Sequence, residues 1–248
     1  MASLVLERLT WPEAEAAFRR IPWLLLPIGA ALKEHGPHLP LNTDSLLAAD
    51  LARRIAEQAD IIVLPTLTFG YYPAFVHFPG STTLRADTFR ETVEQVVESL
   101  ARNGAQRFLI LNTGVSTTAP LTIAANNLVE RGIPVALANI LDLGHSADHV
   151  LESSAGSHAN EHETSMVLAI DPSFVRVDRL AAEVEPWMAA SSVVREAGPL
   201  LRQAGGIGRL APSGVIGDPT RATAAKGEAL LAAMAADVAR FLNEQATQ

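Results

Sequence analysis

The sequence contains no cysteine. Disulfides, cysteine-ligated zinc, iron–sulfur clusters and a thiol nucleophile are excluded together. It also has no run of lysines or arginines, and its 248 residues carry a formal charge of −8. No nucleic-acid footprint or anionic-membrane patch is therefore expected. No apolar stretch approaches the ~20 residues that span a bilayer. The opening residues MASLVLERLTWPEAEAAF show no basic leader followed by an apolar core. With no membrane partner in view, the expectation is a soluble, cytoplasmic protein. Internal repeats, low-complexity segments and linkers are missing as well, so one domain over residues 1–248 is expected.

What is present is the material of a globular core: 48% of residues are hydrophobic and 19% charged. The runs WLLLPIG (23–29), IIVLPTL (61–67), RFLILNTG (107–114) and IPVALANIL (133–141) are continuously apolar and end in Gly, Pro or Asn. That pattern predicts parallel strands covered on both faces. Helices are predicted over 11–20, 43–59, 86–104, 117–132 and 223–243. A Thr/Asp cap opens the second; Asp87 caps the third and Gly104 stops it. Strands alternating with helices of this length imply right-handed crossovers and a three-layer α/β/α sandwich with a mostly parallel central sheet. Residues 142–158 and 197–220 are the least regular. Ligands of such sheets sit beyond the carboxyl ends of the strands, and the unusual polar residues of this chain follow its strands.

Two clusters carry candidate chemistry. In LPIGAALKEHGPHLPLNTD (26–44), His35, His38 and Asp44 offer the imidazole and carboxylate donors that suit Zn²⁺ or Mn²⁺. The histidines lie in a proline-rich loop, so this is not the helical zincin pattern. For His38, between two prolines, a scaffold role is the simpler reading; Asp44 also suits a helix N-terminus. In GSHANEHETSMVLAI (156–170), His158, Glu161, His162 and Glu163 precede a helical run. They suit a metal shell or acid–base work, although acids in a first helical turn need no purpose beyond the helix dipole.

Five blocks, LTWPEAEAAF, LLLPIGAALKEHGPHLPLNTD, HFPGSTTL, GSHANEHETSMVLAIDPSFV and GVIGDPTRATAAKG, resemble in order the marks of the creatininase (creatinine amidohydrolase) family. The resemblance runs from about residue 9 to 241. It implies an α/β/α fold, a homo-oligomer, most often a hexamer, and hydrolysis of small amides and cyclic C–N bonds by two divalent metals. It also implies that His35 is a metal ligand, that Asp44 bridges both metals, that His158 is catalytic and that Glu163 is a ligand.

Two departures fall on the same metal. The family glutamate two positions before the histidine is Lys33 here, with Glu34 shifted by one in a segment one residue longer. The family histidine after the third strand is replaced by Gly114, although Asn112 matches. The expectation is a reduced site with one Zn or Mn per chain, in which Lys33 stands in for the other ion. His35, Asp44 and Glu163 would hold the metal; His158 would move the proton, with Lys33 or Glu34 polarising or relaying. Ser116 and Thr117 are candidates for binding a substrate oxygen. GYYPAFVHFPG places Tyr71, Tyr72, Phe75 and His77 nearby; Tyr72 and His77 are candidate substrate contacts, although packing explains these aromatics equally well. The alternatives are a metal-free isomerase, lyase or cyclase, and a non-catalytic oligomeric binding protein.

Overall fold

The computed structural model describes residues 4–153, 156–183 and 211–246. Strands β1 (Leu4–Val5), β2 (Trp23–Ile28), β3 (Ile62–Val63), β4 (Arg107–Asn112) and β5 (Val135–Asn139) form one sheet in the order β1-β3-β2-β4-β5. Every pairing in it is parallel. Helices α1 (Trp11–Arg20), α2 (Thr43–Ala56), α3 (Ala86–Arg102), α4 (Thr118–Glu130), α5 (Glu161–Ile170) and α6 (Ala224–Ala246) surround it. A short antiparallel pair, β6 (Gly156–His158) and β7 (Ile216–Gly217), lies outside the main sheet.

The layers follow from strand alternation. On β2, Trp23 and Leu25 face a core shared with Leu47, Leu51 and Ile55 of α2, Met166 of α5, and Leu230 and Met234 of α6. Leu24, Leu26 and Ile28 face the opposite core, with Phe18 of α1, Phe89 and Val93 of α3, and Leu121 and Leu128 of α4. All six β2 residues are buried, as a central parallel strand requires, whereas the edge strand β5 is only half-buried. The α/β/α sandwich expected from the sequence is the observed fold.

Some local expectations need correction. The helix begins at residue 86 as predicted, but its N-cap is Arg85, two residues before Asp87, which sits in the first turn with its carboxylate accepting from the Thr88 amide. The run 61–67 keeps only two residues as strand; Leu67 rejoins the sheet as an isolated bridge to Ile28. Pro65, which has no amide hydrogen to give a ladder, lies between the two. Residues 197–210 of the irregular stretch lie outside the described residues.

Topology decides where a site can form. The β2–β3 crossover uses α2 on one face, whereas β3–β4 and β4–β5 use α3 and α4 on the other. The chains leaving neighbouring strands β2 and β4 therefore part to opposite faces and open a crevice between their carboxyl ends.

Two contacts lock the elements that border this crevice. A Cβ on Gly227 would lie 1.9 Å from the Ser165 carbonyl oxygen, so glycine is what lets α6 cross α5 closely. His38 Nε2 lies 2.9 Å from Thr164 Oγ1 and ties the loop after β2 to α5. Burial pushes the His38 imidazole down to about 4, against the pull of Glu163, so it folds neutral.

Gly227→Ala should lower the urea midpoint by the equivalent of about 1–3 kcal/mol, the usual cost of overpacking. Helix propensity alone predicts the opposite sign, by roughly 1 kcal/mol; an unchanged or raised midpoint would show that the crossing is not tight. For His38 the sign is also fixed. Below about pH 6.5 the unfolded chain takes up a proton that the folded imidazole refuses until about pH 4. Stability from this group is therefore complete above pH 6.5 and lost as pH falls to 4. His38→Gln should flatten the pH dependence of the urea midpoint across that window, and an unaltered slope would contradict the assignment.

Candidate active site

β2 ends at Ile28, and the chain doubles back through residues 29–42 before α2. A Cβ on Gly29 would lie 2.3 Å from the Asp44 carbonyl oxygen and 2.7 Å from Thr113 Oγ1. Only glycine lets the first turn of α2 approach the strand end so closely. The Thr113 hydroxyl, just past β4, shares its hydrogen between the Ile28 and Asp44 carbonyls at 3.0 and 2.9 Å. Inside the loop, the Lys33 amide donates to Leu41 O and the Ser45 amide to Ala30 O. The loop thereby folds upon itself and brings Lys33 to Asp44.

Lys33 Nζ lies 2.6 Å from Asp44 Oδ2, with both side chains buried. The ammonium also sits over the rings of Phe75 and Tyr72, at 5.0 and 5.8 Å from their centroids. Burial alone would raise the Asp44 carboxyl; Lys33 and His35 outweigh it and hold the group well below the usual carboxylate range. Asp44 is therefore an ion-pair partner at the start of α2. It does not cap that helix, whose N-cap is Asn42.

His35 is fully buried. Its Nδ1 lies 2.9 Å from Lys33 O and its Nε2 lies 2.9 Å from Asp44 Oδ1. A carbonyl can only accept, so Nδ1 carries the hydrogen. A neutral ring then directs the Nε2 lone pair at a carboxylate oxygen, and only a proton or a cation between them reconciles the two.

His158 shows the complementary arrangement. Its Nε2 lies 2.9 Å from Glu34 O and 3.2 Å from Glu34 Oε2. Both are acceptors, so Nε2 donates, and Nδ1 lies 3.8 Å from Glu163 Oε2. The ring packs on Phe75 and His35, with centroids 4.7 and 4.9 Å away. Glu34 is fixed in turn by a short contact with the Gly36 amide. The next residue, Ala159, has φ +50° and is buried; this left-handed conformation, costly for a residue with a Cβ, aims its amide at the Glu163 carboxylate. Burial would raise Glu163, but His158, His35 and Lys33 hold it low.

Among the described residues, His35, His158 and Glu163 form the group of three whose ligand atoms lie within 4.8 Å of one another. With two lone pairs facing across His35 and Asp44, and His158 Nδ1 beside the Glu163 carboxylate, this imidazole and carboxylate donor set fits a divalent cation.

The site opens into a cleft of about 780 Å³, lined on its inner wall by Lys33, Phe75, Thr113, Ser116, His158 and Glu163. Lys33, His158, Glu163 and Ser116 thus reach one space, with His35, Asp44 and Glu34 directly behind. The three remaining substrate-contact candidates do not line it either. The Thr117 hydroxyl is buried and bonded to Asn112 Oδ1 and Gly114 O, both 2.6 Å away, so it serves the turn after β4. Tyr72 is buried beneath Lys33, and His77 is exposed. Tyr72 has a different part to play. A Cβ on Gly114 would lie 3.1 Å from Thr117 Oγ1 and 3.5 Å from the Tyr72 ring, so a larger side chain there meets neighbours already in place. Glu161 faces away: it accepts from the Ser153 amide and pairs with Lys226 at 2.6 Å. His162, singled out with the second cluster, does line the cleft, whereas sequence reasoning missed Leu141, Leu143 and His145 on its wall. These three lie in irregular chain; their sole signal was position, just past a strand end.

Comparisons with known proteins agree with this geometry. The creatinine amidohydrolase family model matches residues 7–242. A mycofactocin precursor peptide peptidase of Mycobacterium ulcerans (strain Agy99) is 32% identical over 87% of this chain and 82% of its own length. Creatinine amidohydrolase of Pseudomonas putida is 31% identical over 72% and 76%. A manganese form of creatininase superposes with a TM-score of 0.82, at 28% identity, over 98% of each chain. A match of this extent, in sequence and in fold, places the chain in the creatininase family.

Proposed function

We propose that this creatininase-family hydrolase cleaves a C–N bond of a small amide, lactam or cyclic amide with a one-metal site in which Lys33 takes the place of a second ion. The observation that carries the reading is the occupancy of Asp44. One of its oxygens is held by the Lys33 ammonium and the other faces the His35 lone pair. One carboxylate oxygen is thus matched by a cation the chain itself supplies, and the other would be available, with His35, to a bound ion. The related names support the reaction class, since amidohydrolase and peptidase both denote C–N hydrolysis.

His35, Asp44 and Glu163 would hold the ion. When bound, a divalent metal lowers the pKa of a water and polarises a carbonyl. The chain's own residues do the rest. Lys33, buried beside two aromatic rings, presents a positive charge to the cleft, where negative charge develops on a carbonyl oxygen under attack. Glu34 holds the Nε2–H of His158 and so fixes the tautomer that leaves Nδ1 free. His158, which lines the cleft, receives a proton at Nδ1 and delivers it to the leaving nitrogen. Phe75 covers the imidazole and keeps water from its face. Ser116 lies on the same wall, within the space a bound amide would fill. Family resemblance further supports a homo-oligomer, a hexamer in the first instance; a light-scattering mass of one chain would contradict that.

Metal analysis after dialysis should give about one zinc or manganese per chain. Glu163→Gln and Asp44→Ala should lose it, whereas His158→Gln should retain the ion and lose turnover. Loss of the ion from His158→Gln to the same degree would make His158 a ligand and overturn its proton-transfer role. Lys33→Ala should lower kcat by tenfold or more, through lost charge stabilisation. An unchanged kcat would remove Lys33 from the mechanism.

A further inference from the structure

The cleft is far larger than the reacting groups need. Its volume of about 780 Å³ lies in the upper part of the roughly 300–1,000 Å³ range of pockets that enclose drug-sized ligands. Its lining carries two kinds of chemistry. One part is the candidate catalytic group described above. The rest includes Val115, Ile140, Leu141, Leu143 and Leu151, with His145, Asp148 and Glu152 from the same chain segment. Val115 opens the turn after β4 and Leu141 lies in the turn after β5; these strands pair side by side, with Asn112 opposite Asn139. The two side chains therefore leave adjacent strand ends together.

Both are more than half exposed, 52% for Val115 and 56% for Leu141. Large apolar side chains at the mouth of a cleft contribute little to folding, and their grouping marks a binding surface. Among the described residues, the acidic groups of this rim are already matched. Asp148 pairs with His145 at 2.9 Å, and Glu152 pairs with Arg221 and Lys226 at 2.9 and 2.7 Å. A cationic ligand would have to break these pairs, whereas an apolar one need only cover exposed carbon.

Building on the amide-hydrolase reading, we infer that the substrate carries an apolar arm, aliphatic or aromatic, which lies along Val115, Leu141 and Leu143 while its C–N bond is held between Lys33 and His158. The site selects acyl or N-substituted amides with a hydrophobic substituent over compact polar rings.

Linear methyl ketones from 2-butanone to 2-nonanone test the arm separately from the reaction, because they carry a carbonyl but no C–N bond to cleave. Isothermal titration calorimetry on the full chain should show Kd falling about fourfold per added methylene until the trough is filled. Val115→Asp with Leu141→Asp should flatten the series, and the milder pair Val115→Ser with Leu141→Ser should weaken it. Val177→Asp, at an exposed apolar position away from the cleft, should leave the slope intact. A flat series with the natural sequence, or an equal slope in the Asp pair, would overturn the inference. Amine or ammonia release from the matching alkanamides reads the reaction itself. Release of product with a flat ketone series sinks the arm alone; a steep ketone series without product sinks the hydrolase reading alone.

Discussion

The buried pair of Lys33 and Asp44 is the contact on which the rest of the site depends. An ammonium and a carboxylate 2.6 Å apart, both out of solvent, are costly to desolvate, and removing either partner typically costs about 3–5 kcal/mol by leaving the other unpaired. The loop after β2 must therefore fold back so that residue 33 meets the first turn of α2. Gly29 permits the approach and Thr113 pins it from β4. With Asp44 fixed, its second oxygen sets the orientation of His35, and the loop carbonyl of Glu34 orients His158 from 124 residues away. A single electrostatic requirement thus places donors drawn from distant parts of the chain.

The same pair explains why the two departures from the family pattern belong together. A lysine at position 33 supplies positive charge where a glutamate would need a cation to hold it. Gly114, for its part, leaves room that Tyr72 borders, and the Tyr72 ring also lies beneath the Lys33 ammonium. Lysine, tyrosine and glycine form one packed unit.

Much of this was legible in the sequence, and the limits have physical causes. Continuous apolar runs gave β2 and β4 nearly to the residue, because strands buried on both faces have no polar positions to confuse the pattern. The helix over 11–20 was legible from the proline and acids of its first turn, and the structure adds a Thr10–Glu13 capping box. The two polar clusters brought His35, Asp44, His158 and Glu163 under suspicion and the family resemblance added Lys33; these side chains do converge. What the sequence could not reveal was direction. Phe75 and His77 lie two apart in one aromatic stretch, yet one walls the cleft and the other faces solvent. Thr117 and Ser116 are neighbours, and only the serine turns inward, because the threonine hydroxyl is taken by Asn112. The apolar rim at 141–151 follows no helical or strand period, so periodicity had no hold on it. Among the described residues, no helix is long and apolar enough to cross a membrane, as expected.

The central claim is that Asp44 bridges one ion and one ammonium. It is tested most directly by a crystal structure of the zinc-loaded protein, with anomalous differences collected above and below the zinc edge. The account predicts one peak, bounded by His35, Asp44 and Glu163, with Lys33 Nζ still in contact with the other Asp44 oxygen. Two peaks flanking Asp44, with Lys33 turned out to solvent, would contradict it.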